Sequence, residues 1–360
     1  MYKFRELEEL HIELTTNCQA RCPMCARTKE NGNINPLISI NNLDFDTLTQ
    51  SIEPVLPFIK RIMLCGNFGD PILYPKLIEL VEYIANVNPM VFVDMHTNGS
   101  ARDTKWWRQL ALALPKNHSV TFGIDGLRDT HSLYRIGTDF DKIIKNARVF
   151  INNGGTANWT YIVFKHNEHQ IELARQLAAS IGFKSFQSKH TSRFLVNPWL
   201  DVKDKNGNIT HRLEFPTESK LTYIDRKALS EYQKHISLAE VECEVERTRS
   251  LYIDGYGDVW PCCFVASTPY QYTSLDSPTL GFVNDSKSSL NNVVAQMGPL
   301  NIKDRTIQDI VDSKEWQTLW DKNFQGPNKL HMCARTCGKF STINISQHDE
   351  QIIKQTEFHN

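Results

Sequence analysis

With 360 residues the chain has room for one large domain and a smaller one, and 40 Lys plus Arg against 41 Asp plus Glu exclude the strong field that nucleic acid or an acidic membrane requires of a partner. The opening Met1-Tyr2-Lys3-Phe4-Arg5-Glu6 is no signal peptide, and nowhere do about 18 apolar residues follow one another, so neither export nor a membrane anchor is expected. A cytoplasmic location is expected, in which clustered cysteines among the nine serve metal binding rather than disulfides.

From residue 10 to about 190, strand-like and helix-like segments alternate in steps of about 30 residues. The strand candidates are His11–Leu14, Arg61–Cys65, Met90–His96, Ser119–Ile124, Trp159–Phe164 and Lys184–Ser188. Amphipathic stretches at Pro75–Asn86, Phe140–Asn152 and Glu168–Ile181 repeat apolar residues every three or four positions, as helices packed on a sheet do. Six such units imply an α/β class with a parallel sheet curved into a partial barrel. Residues 191–225 are polar and turn-rich and read as a connector or a substrate-covering excursion. Helix candidates follow at Asp225–Val241 and Thr306–Lys322, with a Ser-, Pro- and Asn-rich stretch at 265–302 between them.

Directly after the first strand candidate comes Cys18-Gln19-Ala20-Arg21-Cys22-Pro23-Met24-Cys25. Three thiolates at C-x3-C-x2-C spacing can hold three irons of a [4Fe–4S] cluster and leave one iron open to a chelating small molecule. Structural zinc favours C-x2-C pairs that recur as two knuckles, which this triplet fits poorly. Sites in parallel β/α folds lie in the loops after the strands. The other motifs of this half fall there too: Cys65-Gly66-Asn67-Phe68-Gly69-Asp70-Pro71, His96-Thr97-Asn98-Gly99, Gly123-Ile124-Asp125-Gly126 with His131 and Arg135, and Ile162-Val163-Phe164. His166 and His169 read as solvated histidines of a first helical turn, and Lys189 and His190 as substrate-site candidates on one face.

Together these motifs resemble the radical S-adenosylmethionine superfamily. The resemblance implies a (β/α)6 TIM-like three-quarter barrel, a 4Fe-4S cluster on Cys18, Cys22 and Cys25, and S-adenosylmethionine on its open iron. Reductive cleavage then yields a 5′-deoxyadenosyl radical that abstracts hydrogen from a substrate. Met24 stands where an aromatic is usual and would pack on adenine. Gly66, Asn67 and Asp70 match the family's Gly-Gly-Glu-Pro segment at the methionine amino group, and Thr97 and Asn98 its adenosine side. Asp125 would meet the ribose or only its own turn. Arg135 would pair with the cofactor carboxylate or sit at the surface. Gly123 replaces a usual serine, and Ile162 and Val163 would meet adenine. An external electron donor such as flavodoxin or ferredoxin is implied as partner.

Cys243 precedes Leu251–Cys262, which reads as a hairpin with an Asp254-Gly255-Tyr256-Gly257-Asp258 tip. With Cys333 and Cys337 this resembles the SPASM and twitch auxiliary-cluster domains. The resemblance implies a second 4Fe-4S cluster on Cys243, Cys262, Cys333 and Cys337 for electron transfer, Cys263 being the substitute for Cys262. Zinc on the same four thiolates is the alternative, and Cys65 reads as a small packed residue. The division expected is 1–190 barrel, 191–242 connector and helix, 243–345 small α+β iron–sulfur domain and 346–360 tail. Because the barrel begins by residue 10, no fused recognition domain is expected. That favours oxidation of a small molecule, with a peptide or protein side chain presented by a separate partner as the alternative. A non-catalytic, metal-stabilised binding protein is the competing class.

Overall fold

The computed structural model describes residues 1–29, 32–191, 193–194, 197–217, 238–271, 280–324, 329–339 and 352–358. Strands β1 (Glu9–Ile12), β2 (Arg61–Leu64), β3 (Phe92–Thr97), β4 (His118–Gly123), β5 (Ala157–Val163) and β6 (Ser185–His190) lie parallel and in chain order. Between them run α1 (Phe45–Ile52), α2 (Leu77–Val87), α3 (Thr104–Ala113), α4 (His131–Tyr134), α5 (Phe140–Asn152) and α6 (Ile171–Ile181). Asp44, Asp103 and Asp139 start α1, α3 and α5 by accepting backbone N–H groups that a first turn leaves unpaired. The core forms where apolar helix stripes meet one face of the sheet: Leu80 and Ile84, Trp107 and Phe150 pack with Ile62, Val93 and Phe122. Alternation turns His11, Arg61, Met63 and His96 to the other, half-exposed inner face. The fold is a partial α/β barrel.

The excursion after β6 is a hairpin, β7 (Trp199–Lys203) and β8 (Ile209–Glu214), whose Val202 and Leu213 pack on Ala20, Cys22 and Phe164. There follow β9 (Glu240–Val241), α7 (Glu244–Thr248), β10 (Ser250–Ile253), β11 (Val259–Trp260), α8 (Cys263–Ser267), α9 (Leu280–Val294), α10 (Ile307–Val311), α11 (Lys314–Phe324), α12 (His331–Cys337), β12 (Gly338–Lys339) and β13 (Ile352–Glu357). Three C-terminal strands join the barrel sheet, while β9 and β12 pair antiparallel in a two-stranded sheet of their own. β10 pairs parallel with β1, β11 extends it, and β13 pairs antiparallel with β6. Both edges of the six-stranded core are thereby covered, satisfying N–H and C=O groups that an open edge would leave unpaired.

The helix expected at Asp225–Val241 falls mostly outside the described residues, and its described end, Glu240–Val241, is strand β9. The single helix expected at Thr306–Lys322 is two, because Ser313 Oγ accepts the Trp316 N–H and starts α11 afresh. Residues 352–357, placed in the tail by the sequence, are β13. Among the described residues no helix is long and apolar enough to cross a membrane.

The expected 251–262 hairpin turns at Gly257, whose φ of +94° suits a residue without a side chain. Asp254 closes it, accepting the N–H groups of Tyr256 (2.9 Å), Asp258 (3.0 Å) and Trp260 Nε1 (2.8 Å). Burial, with Asp258 beside it, nevertheless raises the Asp254 carboxyl to about 7. A carboxyl that titrates near 4 when unfolded then stabilises the fold fully below about pH 4, and that contribution is lost as pH rises through about 7. The difference in urea midpoint between the wild type and Asp254→Asn, measured from pH 4 to 8, should move against the wild type as pH rises through about 7.

Candidate functional site

The site is built at the strand ends, and a glutamate just past β1 organises it. Glu13, buried, accepts Phe68 N–H (2.7 Å) and Gly69 N–H (2.9 Å) on one oxygen and the Tyr252 hydroxyl (2.7 Å) on the other. This holds the loop after β2 against β1 and β10. Gly69 is pressed so close that a Cβ would overlap the Thr15 carbonyl, and Asp70 N–H donates to Asn17 O at 2.8 Å.

That contact presents the cysteine loop. Cys18 and Cys25 are partly exposed and Cys22 is buried. Cys18 Sγ accepts from Asn98 Nδ2 at 3.7 Å, and Cys22 Sγ lies 3.9 Å from Arg135 Nη1. Burial, then Asp70 and the other two thiols, pushes Cys18 up, and burial lifts Cys22 to about 11 although Arg135 opposes it. Three thiols that crowd and burden one another as anions form a set that a cationic cluster would relieve.

Two groups of sequence-singled residues stand behind this loop. Asp70 accepts Thr97 Oγ1 (2.8 Å), Asn98 N–H (2.8 Å) and Asn98 Nδ2 (2.5 Å), so Asp70, Thr97 and Asn98 form one knot next to Cys18. Asp125, fully buried, accepts Ile162 N–H at 2.7 Å and Arg135 Nε at 2.5 Å, so both its oxygens are engaged by protein donors. Arg135 is therefore no surface residue. Gly123 makes room for it: a Cβ there would lie 2.5 Å from Arg135 Nη2, which gives a physical reason for glycine at that position.

Gly66 lies against the Glu13 carboxylate, and Asn67 turns away to donate to Cys263 O at 2.8 Å. The Met24 side chain packs beside the cysteine loop. Val163 corrects the sequence reading: strand alternation sends it into the main core, and Ile162 is the neighbour that packs with Cys18 and Cys25. Alternation likewise separates Lys189, half-exposed on the inner face, from His190, buried on the helix side. His166 is not solvated either; it stacks on Phe164 at 5.3 Å, and burial lowers its pKa to about 4. Glu13, Tyr252 and Asn167, which bonds Asp125 O and Ile162 O, were missed. The signal for Glu13 was a charge closing an apolar strand.

The second thiol set gathers across the β1 side. Cys243 precedes α7, Cys262 caps α8 with Sγ accepting Val265 N–H at 3.5 Å, and Cys333 and Cys337 share a face of α12. Pairing of β12 with β9, and the Glu242 N–H bond to Cys337 O (3.0 Å), bring Cys337 beside Cys243. All four, and Cys263 beside them, line a cavity of about 250 Å³ together with His11 and Arg61 from the barrel. Burial raises every thiol, Cys243 to about 11 and Cys262 to about 12. Backbone N–H groups donate to Cys243, Cys262 and Cys337, the kind of hydrogen bond that tunes iron–sulfur thiolates. Cys262 feels Cys243 and Cys337, whereas Cys263 also feels Cys65 and Glu13 on the barrel side. Among the described residues no three Cys, His, Asp or Glu side chains converge on a single-ion position. A cluster, whose thiolates each hold a different iron, takes a wider set, and three or four cysteine thiols are the donors such a cluster uses.

The family model of the Radical SAM superfamily matches residues 12–178, and that of an iron–sulfur cluster-binding domain, SPASM, matches 243–338. Among solved structures the chain resembles Streptococcus suis SuiB bound to S-adenosylmethionine (TM-score 0.54, 13% identity, covering 92% of this chain and 73% of that one). The same SuiB bound to precursor peptide SuiA gives a TM-score of 0.54 at 14% identity, covering 92% and 72%. Histidine-tagged anSMEcpe with bound AdoMet gives 0.53 at 14% identity, covering 95% and 90%.

Removing Arg135 leaves the Asp125 carboxylate buried without its charge partner. Arg135→Met should cost about 3–5 kcal/mol in urea unfolding, and adding Asp125→Asn should restore more than half of it.

Proposed function

The chain belongs to the radical S-adenosylmethionine superfamily and carries a SPASM-type iron–sulfur domain, and from that premise we propose how its residues divide the work. Cys18, Cys22 and Cys25 hold a [4Fe–4S] cluster by three irons, and S-adenosylmethionine takes the fourth. When bound, the pair supplies a 5′-deoxyadenosyl radical by reductive cleavage of the sulfonium, and that radical removes a hydrogen atom from the substrate. The backbone of Gly66–Asp70, held by Glu13, receives the methionine end. Asn98 and Arg135 donate to Cys18 and Cys22, and Ile162 and Met24 offer apolar walls that exclude water. Cys243, Cys262, Cys333 and Cys337 hold an auxiliary [4Fe–4S] cluster with no open iron, which passes electrons rather than binding substrate.

The observation that carries this reading is the presence of two thiol sets on one sheet, a triplet in the loop after β1 and a set of four lining a cavity beside β1 and β10, linked through the Glu13–Tyr252 hydrogen bond. For the substrate we favour a peptide or protein side chain over the small molecule to which the sequence inclined. SuiB, whose fold is similar, is bound to a precursor peptide, and this supports that choice.

The protein, reconstituted anaerobically with iron and sulfide, reduced and supplied with S-adenosylmethionine, should release 5′-deoxyadenosine detectable by mass spectrometry. With Cys18, Cys22 and Cys25 all changed to Ala, release should fall to background. Zinc without iron in anaerobically purified protein would instead favour a non-catalytic binding protein. Cys262→Ala should lose about four irons per chain by iron assay and Mössbauer spectroscopy, and Cys263→Ala should keep them.

A further inference from the structure

Apart from the cavity of the second thiol set, a cleft of about 520 Å³ opens between the cysteine loop, α4 and the β7–β8 hairpin. Four cationic side chains line it, Arg21, Lys29, Lys203 and Lys205, against two carboxylates, Asp201 and Asp204. Asp201 is held by Arg212 (2.6 and 3.1 Å). Asp204 accepts the N–H groups of Asn206 (2.8 Å) and Asn208 (2.9 Å) in its own turn. The cleft therefore presents positive charge on a chain whose formal net charge is −1.

Its position gives the charge a meaning. Arg21 and Pro23, which line the cleft, flank Cys22 in sequence. Its apolar wall, Ile136, Leu200 and Val202, packs in the same cluster as Cys18, Cys22 and Cys25. The cysteine loop itself thus forms one wall of the cleft. Electron transfer through protein falls steeply with distance, so a carrier seated here takes a short path to that loop.

We propose that this cleft docks an acidic one-electron carrier protein and is the entry for the electron that reduces the site on Cys18, Cys22 and Cys25; the inference rests on the proposed function. The carrier is oxidised by one electron, the site gains it, and no proton or bond is exchanged. Small interfaces steered by charge suit such encounters, which need speed and turnover more than affinity.

The test uses the reconstituted holoenzyme in anaerobic stopped flow with two reductants: flavodoxin hydroquinone as the acidic carrier, and photoreduced deazariboflavin as a small uncharged one. Lys203→Glu/Lys205→Glu should slow reduction by flavodoxin about tenfold or more, and added KCl should slow the wild type in the same direction. Reduction by deazariboflavin should be unchanged. Lys203→Ala/Lys205→Ala, a gentler change on the same hairpin, should give an intermediate flavodoxin rate. Equal flavodoxin rates in wild type and both variants overturn the proposal, and so does equal slowing with both reductants. Protein that takes up no cluster would instead refute the function on which the proposal rests.

Discussion

Glu13 is a carboxylate with almost no exposure, and three donors from two distant parts of the chain converge on it. Placing it there is costly, since burial raises its pKa against those donors. What it secures is the loop after β2, and with it Asp70, whose side chain positions Thr97 and Asn98 and whose N–H ties back to Asn17. The Tyr252 hydroxyl on its second oxygen fastens the same loop to β10. One side chain thus fixes the cysteine loop, the glycine-rich loop and the C-terminal region relative to one another.

The sheet carries that arrangement further. Because β10 continues the barrel past β1, the second thiol set is mounted on the same hydrogen-bonded sheet as the first. His11 and Arg61 lie on the inner face of the barrel and also line the four-thiol cavity. Adjacent cysteines have different surroundings for the same reason. Cys262 caps α8 within the four-thiol set, while Cys263 is tied by its carbonyl to Asn67 and sits with Cys65 and Glu13.

The barrel was legible in the sequence because strand and helix periods are local, and α5 has the bounds that its apolar spacing implies. The cysteine loops were legible because ligand spacing is local as well. Contacts between distant segments were not. Nothing near Glu13 in sequence announces Tyr252, 239 residues away, and nothing near Gly123 announces that Arg135 fills its missing side chain. Composition offers Ile162 and Val163 alike, and only strand alternation separates them, Ile162 toward the cysteine loop and Val163 into the core. The 191–225 stretch reads as a loop by composition, yet Val202 and Leu213 suffice to seat a hairpin on the cysteine loop.

The pairing of β1 with β10 also sets an order in time. β1 meets β2 across a short stretch of chain, whereas β10 must return from the far end of the sequence, and contacts of such separation form slowly. The first cysteine loop therefore has its scaffold while the C-terminal thiols are still dispersed. Cys243, Cys262, Cys333 and Cys337 come together only after that late pairing and remain open to oxidants for longest.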